Sequence, residues 1–138
     1  MQQALQAAQS KAVKYSHQQV DVEHVLAGLM EQEGGLALSI FLKAGISPET
    51  VHRRVMQELE RLPKVSSPSG APDQIYVTPR LNKVSSDAAD EAKRLKDDYL
   101  SVEHLLLAMS DDSGFTGRLF KEVGLSKDRL ISALQDVR

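Results

Sequence analysis

The chain contains no cysteine and no tryptophan, and only 4% of its 138 residues are aromatic. Without cysteine there is no disulfide framework, no thiolate nucleophile and no cysteine-ligated metal site. That composition fits a reducing compartment, and the cytoplasm is the expected location. The apolar runs are only a few residues long, far short of the ~20 that a membrane-spanning helix needs. The N-terminus also lacks a charged start followed by an apolar stretch, so we expect no membrane association.

Neither positive nor negative charge predominates in the sequence. The formal net charge is -2, and basic and acidic residues are mixed along the whole sequence. A nucleic-acid-binding protein needs a basic stripe that neutralises the phosphate backbone, and none is present. We therefore expect no nucleic-acid partner. The mixed charge also provides no evident surface for self-association, so we expect a monomer.

Motifs for nucleotide or acyl chemistry are also missing. The sequence has no Gly-x-x-x-x-Gly-Lys-Ser/Thr loop, no Gly-x-Gly-x-x-Gly turn and no Gly-x-Ser-x-Gly elbow. No nucleophile and base recur at a spacing that would bring them together. The sequence therefore predicts a protein that is not an enzyme and that needs no cofactor.

What the chain does contain is an internal duplication. The segment Val-Glu-His-Val-Leu at 22–26 returns as Val-Glu-His-Leu-Leu at 102–106. Two glycines, one phenylalanine and one serine that follow it return in the same order; the pairs are Gly35 and Gly114, Phe41 and Phe120, Gly45 and Gly124, and Ser47 and Ser126. Agreement at apolar, turn and capping positions together indicates one unit written twice. Each unit alone would be marginal in size, so we expect the two to share one core.

Apolar positions at helical spacing, with caps and breakers between them, predict four helices in each unit. The fold class is therefore all-α: two pseudo-symmetric four-helix repeats packed as one eight-helix domain. The first repeat covers residues 1–62 and the second covers residues 78–138. Between them, residues 63–77 are rich in Pro, Ser and Gly and form a linker.

The repeated Glu-His pairs are the first residues to test for chemistry, because Glu and His together can transfer protons or bind zinc. Neighbouring residues on a helix point about 100° apart, so one pair cannot converge on a single atom. The His-Glu-x-x-His zinc pattern is absent. We therefore interpret His24 and His104 as structural residues at helix starts and predict no metal site.

Acidic and hydroxyl residues remain at corresponding helix starts. They are Asp21 and Glu23 in the first repeat, and Thr78, Asp97, Asp98, Ser101 and Glu103 in the second. Acids in a first turn stabilise the helix dipole, and that structural role is one interpretation. The other is a shared acidic groove whose carboxylates receive a guanidinium or an amide beside apolar contacts, with a polypeptide as ligand. We expect Glu103 at the edge of this groove with Thr78 close by.

These segments resemble the Clp N-terminal domain, a double-repeat module of the ATP-driven Clp unfoldases. The resemblance rests on Val-Glu-His-Leu-Leu-Leu-Ala at 102–108, Glu-Gly-Gly at 33–35 and Lys-Ala-Gly-Ile at 43–46. Glu-Arg-Leu-Pro-Lys-Val at 60–65 and Thr-Pro-Arg-Leu-Asn at 78–82 are similar to the disaggregase branch of that family.

The resemblance implies a domain that binds unfolded or aggregated polypeptide and passes it to ATPase modules outside this chain, in a hexameric parent protein. It also implies the binding residues, which carry over to Glu23, Thr78, Asp97 and Glu103. The alternative is a module of the protease-linked branch that docks adaptor proteins or recognises phosphorylated arginine.

Overall fold

The computed structural model describes residues 2–32, 35–64 and 76–137, with side chains from residue 4 onward. Within these ranges the chain forms eight helices. Those of the first repeat are α1 (Gln2–Lys14), α2 (Val22–Met30), α3 (Leu36–Lys43) and α4 (Pro48–Arg61). Those of the second repeat are α5 (Pro79–Arg94), α6 (Val102–Met109), α7 (Phe115–Glu122) and α8 (Lys127–Val137). None of these helices is both long enough and apolar enough to cross a membrane.

The all-α prediction is confirmed, and the helix starts show why these residues fold as they do. The Ser47 hydroxyl accepts a hydrogen bond from the Thr50 N–H, and the Thr78 hydroxyl accepts one from the Leu81 N–H at 3.0 Å. Proline occupies the first helical position after each of these caps, where its missing N–H costs nothing. At the ends of α3 and α7, Gly45 and Gly124 adopt positive φ angles of 77° and 80°, which glycine adopts without strain.

The two repeats share one core. Helix α3 of the first repeat packs against α6 and α8 of the second, and α2 packs against α5 and α7. Phe41 and Phe120 lie fully buried where the repeats meet. The repeats therefore bury their apolar faces against each other, as expected for units too small to fold alone.

One short strand pair was not predicted from the sequence. Strand β1 (Gln19–Val20) precedes α2, and strand β2 (Tyr76–Val77) precedes α5; the two pair in parallel. A two-residue strand leaves no alternating pattern long enough to recognise. The end of the predicted linker is thus tied to the first repeat, while residues 65–75 of that linker lie outside the described residues. Gly34 of the predicted helix break lies outside them too.

Candidate functional site

The histidine of each Glu-His pair caps the start of its helix. The Asp21 N–H donates to His24 Nδ1, and the Ser101 N–H donates to His104 Nδ1, both at 2.9 Å. A ring that accepts a hydrogen bond at Nδ1 carries its proton on Nε2. The two histidines therefore cap α2 and α6 in the same tautomer, and the interpretation of both as structural residues is confirmed.

The partner of the outer ring nitrogen differs between the repeats. His24 Nε2 lies 2.8 Å from His17 Nδ1, whereas His104 Nε2 lies 2.7 Å from a carboxylate oxygen of Asp97. Burial, and after it the neighbouring His17, lower the pKa of His24 to about 4. Burial also lowers the pKa of His17. The first repeat therefore holds a neutral histidine pair where the second holds a histidine–carboxylate pair.

Arg80 joins the two repeats at the start of α2. Its Nη1 lies 3.1 Å from Asp21 Oδ2, and its Nη2 donates to Glu23 Oε1. The Asp112 carboxylate of the second repeat accepts hydrogen bonds from Arg80 Nε at 2.8 Å and from Nη2 at 2.9 Å. The Asp112 and Glu23 side chains are only 1% and 2% exposed. One guanidinium thus satisfies two buried carboxylates and a helix cap, in the forked geometry that suits arginine.

Burial and ion pairing act in opposite directions on the charges in this cluster. Burial raises the pKa of Glu23 even though Arg80 acts in the opposite direction. Burial alone would lower the pKa of Arg80, but hydrogen bonds to Asp112 and Glu23 raise it above its ordinary value. In this structure Glu23 therefore already holds a guanidinium, supplied by the chain itself.

The structure groups Thr78 with Glu23, and the expectation that it lies close to Glu103 is wrong. The Thr78 hydroxyl donates to Asp21 Oδ1 at 2.8 Å, next to the Arg80 cluster. Arg80 in turn contacts Asp112, which follows the C-terminal end of α6. Helix α6 ends at Met109, whereas Glu103 lies in its first turn. A helix of eight residues is about 12 Å long, so the two sites lie at opposite ends of α6.

The other two predicted site residues do come together. Ligand-type atoms of Asp97, Glu103 and His104 lie within 4.8 Å of one another at the start of α6. Two carboxylates and a histidine are a common set for a transition metal. Here His104 Nδ1 accepts the Ser101 N–H, so Nε2 carries a proton and has no lone pair for a metal. The cluster fits a ligand that donates hydrogen bonds better than it fits a metal ion.

Apolar side chains surround Glu103. It is 9% exposed and lines a small crevice between α3 of the first repeat and α6 and α8 of the second. The other residues that line this crevice are Ile40, Leu106, Leu107, Leu130 and Leu134. These five side chains are buried and the crevice has no room for a water molecule, so it is a packed boundary between the repeats and not an open groove.

A second opening lies beside the histidine pair of the first repeat. It has a volume of about 190 Å³ and is lined by His17, Gln18, Gln19, Asp21, His24, Leu62 and Pro63. Tyr15 stacks on the His17 ring, with the ring centroids 5.7 Å apart. This pocket is separate from the cluster around Glu103 and borders strand β1.

Three residues that shape these sites were not identified as site residues from the sequence. Arg80 directly follows the Thr-Pro cap, and no pattern in the sequence indicates that it reaches the acids of the first repeat. His17 and Asp97 hold equivalent positions in the two repeats, a relation that the alignment of the Glu-His segments reveals. Asp112 follows α6 in a loop with no repeated pattern, so nothing in the sequence pointed to it.

Together, the duplication, the shared core and the two histidine-capped helix starts define a class of duplicated, all-α domains. The chain belongs to the Clp repeat N-terminal domain family, whose model matches residues 1–123. Domains of this family are non-catalytic parts of the chaperones that contain them.

The most similar relatives include the chaperone protein ClpB of Nitratidesulfovibrio vulgaris, which is 42% identical over 99% of this chain. The chaperone protein ClpB of Bacillus cereus is 38% identical over the same share. In both comparisons the chain spans 16% of the relative's length.

Solved structures show the same fold. The Hsp104 N-terminal domain of Candida albicans matches with a TM-score of 0.82 at 23% identity, covering 99% of this chain and 87% of that one. The N-terminal domain of the ClpV1 ATPase of Escherichia coli matches with a TM-score of 0.78 at 21% identity, covering 98% and 82%. At these identities the agreement concerns the fold.

Proposed function

We propose that this chain is the substrate-binding N-terminal domain of a ClpB-like, ATP-dependent protein disaggregase. The observation that carries this proposal is the cluster of Asp97 and Glu103 at the start of α6, a helix that packs against the first repeat. An unfolded polypeptide exposes both backbone N–H groups and aliphatic side chains. The carboxylates offer hydrogen-bond acceptors for the backbone N–H groups.

The four predicted contact residues take different parts in this proposal. Asp97 and Glu103 bind the polypeptide directly. Glu23 binds Arg80, and Thr78 donates a hydrogen bond to Asp21. Both residues therefore contact a ligand only when that ligand displaces the Arg80 guanidinium. We place the primary site in the second repeat, where Glu103 and the Asp97 carboxylate, which contacts His104, lie together at the start of α6.

The remaining parts of the proposal are supported by the similarity to the ClpB relatives. The domain itself carries out no reaction and holds no cofactor. It captures unfolded or aggregated polypeptide and transfers it to ATPase modules that lie outside this chain, in a hexameric, cytoplasmic parent protein. The isolated domain is a monomer.

A second candidate is an N-domain of the ClpC or ClpA type, which docks adaptor proteins or recognises phosphorylated arginine. One observation favours it: the Glu23 carboxylate already binds the Arg80 guanidinium. The repeated glutamate, Glu103, could receive an arginine-derived group in the same way. The ligand distinguishes the two candidates, because the first requires an unfolded chain and the second requires a folded adaptor or a modified side chain.

Nuclear magnetic resonance titration of the isotope-labelled domain tests these candidates together. One polypeptide is added in its native form and in a reduced, permanently unfolded form, and phosphoarginine is added separately. Disaggregase function predicts amide shifts around Asp97 and Glu103 with the unfolded form only. Shifts with phosphoarginine but not with the unfolded chain would favour the second candidate. If neither ligand moves these signals, capture of unfolded polypeptide and recognition of phosphoarginine at this cluster both fail.

A further inference from the structure

Two buried histidines bracket strand β1 of the first repeat. His17 precedes the strand and His24 follows it, and His24 Nε2 donates to His17 Nδ1 at 2.8 Å. His24 Nδ1 in turn accepts the Asp21 N–H at 2.9 Å, and the Tyr15 ring stacks on His17. The two rings are only 3% and 1% exposed. We call His17 and His24 the histidine latch, because their contact closes the loop that contains β1.

This loop holds the segment that leads into the second repeat. The Gln18 carbonyl accepts the Tyr76 N–H at 2.9 Å, and the Val20 carbonyl accepts the Thr78 N–H at 3.2 Å. The Asp21 carboxylate accepts the Thr78 hydroxyl at 2.8 Å. The attachment of strand β2 to the first repeat therefore depends on how the histidine latch holds the loop.

Neither ring of the latch can take up a second proton without losing a hydrogen bond. Each ring accepts a hydrogen bond at Nδ1 and carries its proton on Nε2, so an added proton must enter at Nδ1. In His24 that proton breaks the bond from the Asp21 N–H, and in His17 it breaks the bond between the rings. Each protonation also leaves a buried cation, which is costly unless it is paired.

The end of α4 supplies further polar neighbours of His17. The Leu59 carbonyl and the Glu60 carboxylate favour a proton on the ring, whereas the Lys64 ammonium opposes one. Burial is the largest effect, and the pKa of His17 is lowered from its ordinary value. The first ring of the latch is therefore neutral at pH 7.

Asp21 and His17 are the neighbours that act on the charge of His24. The Asp21 carboxylate favours a proton on His24, but burial and the His17 ring outweigh it and lower the pKa to about 4. The Asp21 oxygens already accept three hydrogen bonds, one of them from the Thr78 hydroxyl. They cannot turn towards a charged His24 without releasing Thr78.

We propose that the histidine latch is an acid-sensitive switch that releases strand β2 from the first repeat while the shared core stays folded. Protonation moves the two rings towards water, which frees the loop and breaks its bonds to Tyr76 and Thr78. The packing of α3 against α6 and α8 does not involve this loop and remains closed. Acid thus loosens the connection between the repeats at one place.

Amide hydrogen exchange followed by nuclear magnetic resonance measures this release. The exchange rate of each amide is compared with the rate for an unfolded chain at the same pH, and the ratio is the protection factor. The probes are the Tyr76 and Thr78 N–H groups, which bond to the loop. The reference is the amide of Leu106, a fully buried residue of α6 that reports on unfolding of the whole domain.

The proposal predicts that both probes are less protected than Leu106 and lose protection as the pH falls. Between about pH 5.5 and pH 4.5 the loss should be at least about tenfold for each pH unit, the dependence for uptake of one proton on opening. Equal protection of the probes and Leu106 would overturn the proposal, because β2 would then open only when the domain unfolds. A profile independent of pH would overturn it as well.

Glutamine variants identify the groups that titrate. His24→Gln can retain the cap, because glutamine at the third helical position accepts the N–H of the capping residue. Combined with His17→Gln, it removes both titrating rings, and the loss of probe protection in acid should disappear. The matched control is His52→Gln, since that ring pairs with Glu31 at the surface and its loss should leave the acid response unchanged.

An acid response that persists in the double glutamine variant, or that disappears in His52→Gln, would overturn the proposal. If the double variant does not fold, His17→Asp takes its place, because a carboxylate beside His24 gives the charged ring a partner. The loss of probe protection per pH unit should then be smaller than in the parent chain. An equal loss in His17→Asp would contradict the switch.

Discussion

Phe41 and Phe120, which occupy equivalent positions in the two repeats, meet edge to face at the centre of the domain. Their ring centroids lie 6.1 Å apart, the planes form an angle of 87°, and both side chains are fully buried. Edge-to-face geometry brings the positive edge of one ring to the negative face of the other. The duplication thus places one aromatic contact at the point where the repeats join.

We expect Phe41→Ala and Phe120→Ala each to lower the free energy of unfolding by ~3–5 kcal/mol, because each leaves a cavity that the neighbouring helices cannot close. The double variant should lose less than the sum of the two, with a coupling of ~0.5–1.5 kcal/mol from the ring contact. Urea unfolding measures all three. Leu42→Ala is the control, since that side chain is 66% exposed. A loss below ~1 kcal/mol at either phenylalanine would contradict the shared core.

The Arg80 cluster should be the most sensitive polar site. Arg80→Met keeps the aliphatic stem but leaves the buried Asp112 and Glu23 without a cation, and we expect a loss of ~3–5 kcal/mol. The matched control is Arg54→Met, whose ion pair with Glu122 is exposed and worth less than ~1 kcal/mol. Unfolding in urea at fixed salt measures both. Equal losses in the two variants would show that Arg80 does not join the repeats.

The histidine pair of the first repeat predicts a loss of stability in acid. The folded-state pKa of His24, about 4, lies below its ordinary value of 6.5, so the unfolded chain binds a proton first as the pH falls. The stabilising contribution is therefore complete above pH 6.5 and is lost as the pH falls towards 4. Protonation at Nδ1 would also break the bond from the Asp21 N–H.

The second repeat suggests the variant that tests this acid sensitivity. His17→Asp introduces the carboxylate that Asp97 provides in the second repeat, and a carboxylate favours the charged imidazole. We expect the stability lost between pH 7 and pH 5 to be about halved in this variant, as measured by urea unfolding at each pH. An unchanged pH profile would mean that another group controls the acid response.

Cleavage between the repeats tests whether they form one unit without the connecting chain. A protease site introduced within residues 66–72 allows the chain to be cut once. We expect the two pieces to remain associated and folded, because α3 packs on α6 and α8 and Arg80 joins both repeats. Size-exclusion chromatography and circular dichroism detect the result. Separation or unfolding of the pieces would contradict the shared core.

Much of the fold could be predicted from the sequence because its signals are local. Apolar spacing, the caps Ser47 and Thr78 and the terminal glycines Gly45 and Gly124 each act within a few residues of the helix that they define. Because the unit occurs twice, the main helix and turn patterns occur in both repeats. The strand pair and the Arg80 cluster depend on contacts between residues 18–23 and residues 76–80, which no periodic pattern reveals.

The candidate site was only partly predictable for the same reason. The Glu-His segments identified both helix starts and the structural role of their histidines. Which of the two repeated glutamates binds the Arg80 guanidinium depends on where Arg80 lies, and that follows from the packing of α5 against α2. Symmetry in the sequence suggested two equal carboxylates, whereas the folded chain places an arginine on Glu23.

The central claim is that Glu103 binds polypeptide while Glu23 holds the repeats together. Affinity for a reduced, unfolded polypeptide and free energy of unfolding should be measured side by side for Glu103→Ala and Glu23→Ala, at fixed salt because exposed charges are screened. We predict that Glu103→Ala weakens binding by ~1.5–3 kcal/mol and changes stability by less than ~1 kcal/mol. Glu23→Ala should lose mainly stability, because it leaves Arg80 with fewer partners. Unchanged affinity in Glu103→Ala, or an affinity loss matched by unfolding, would contradict the account.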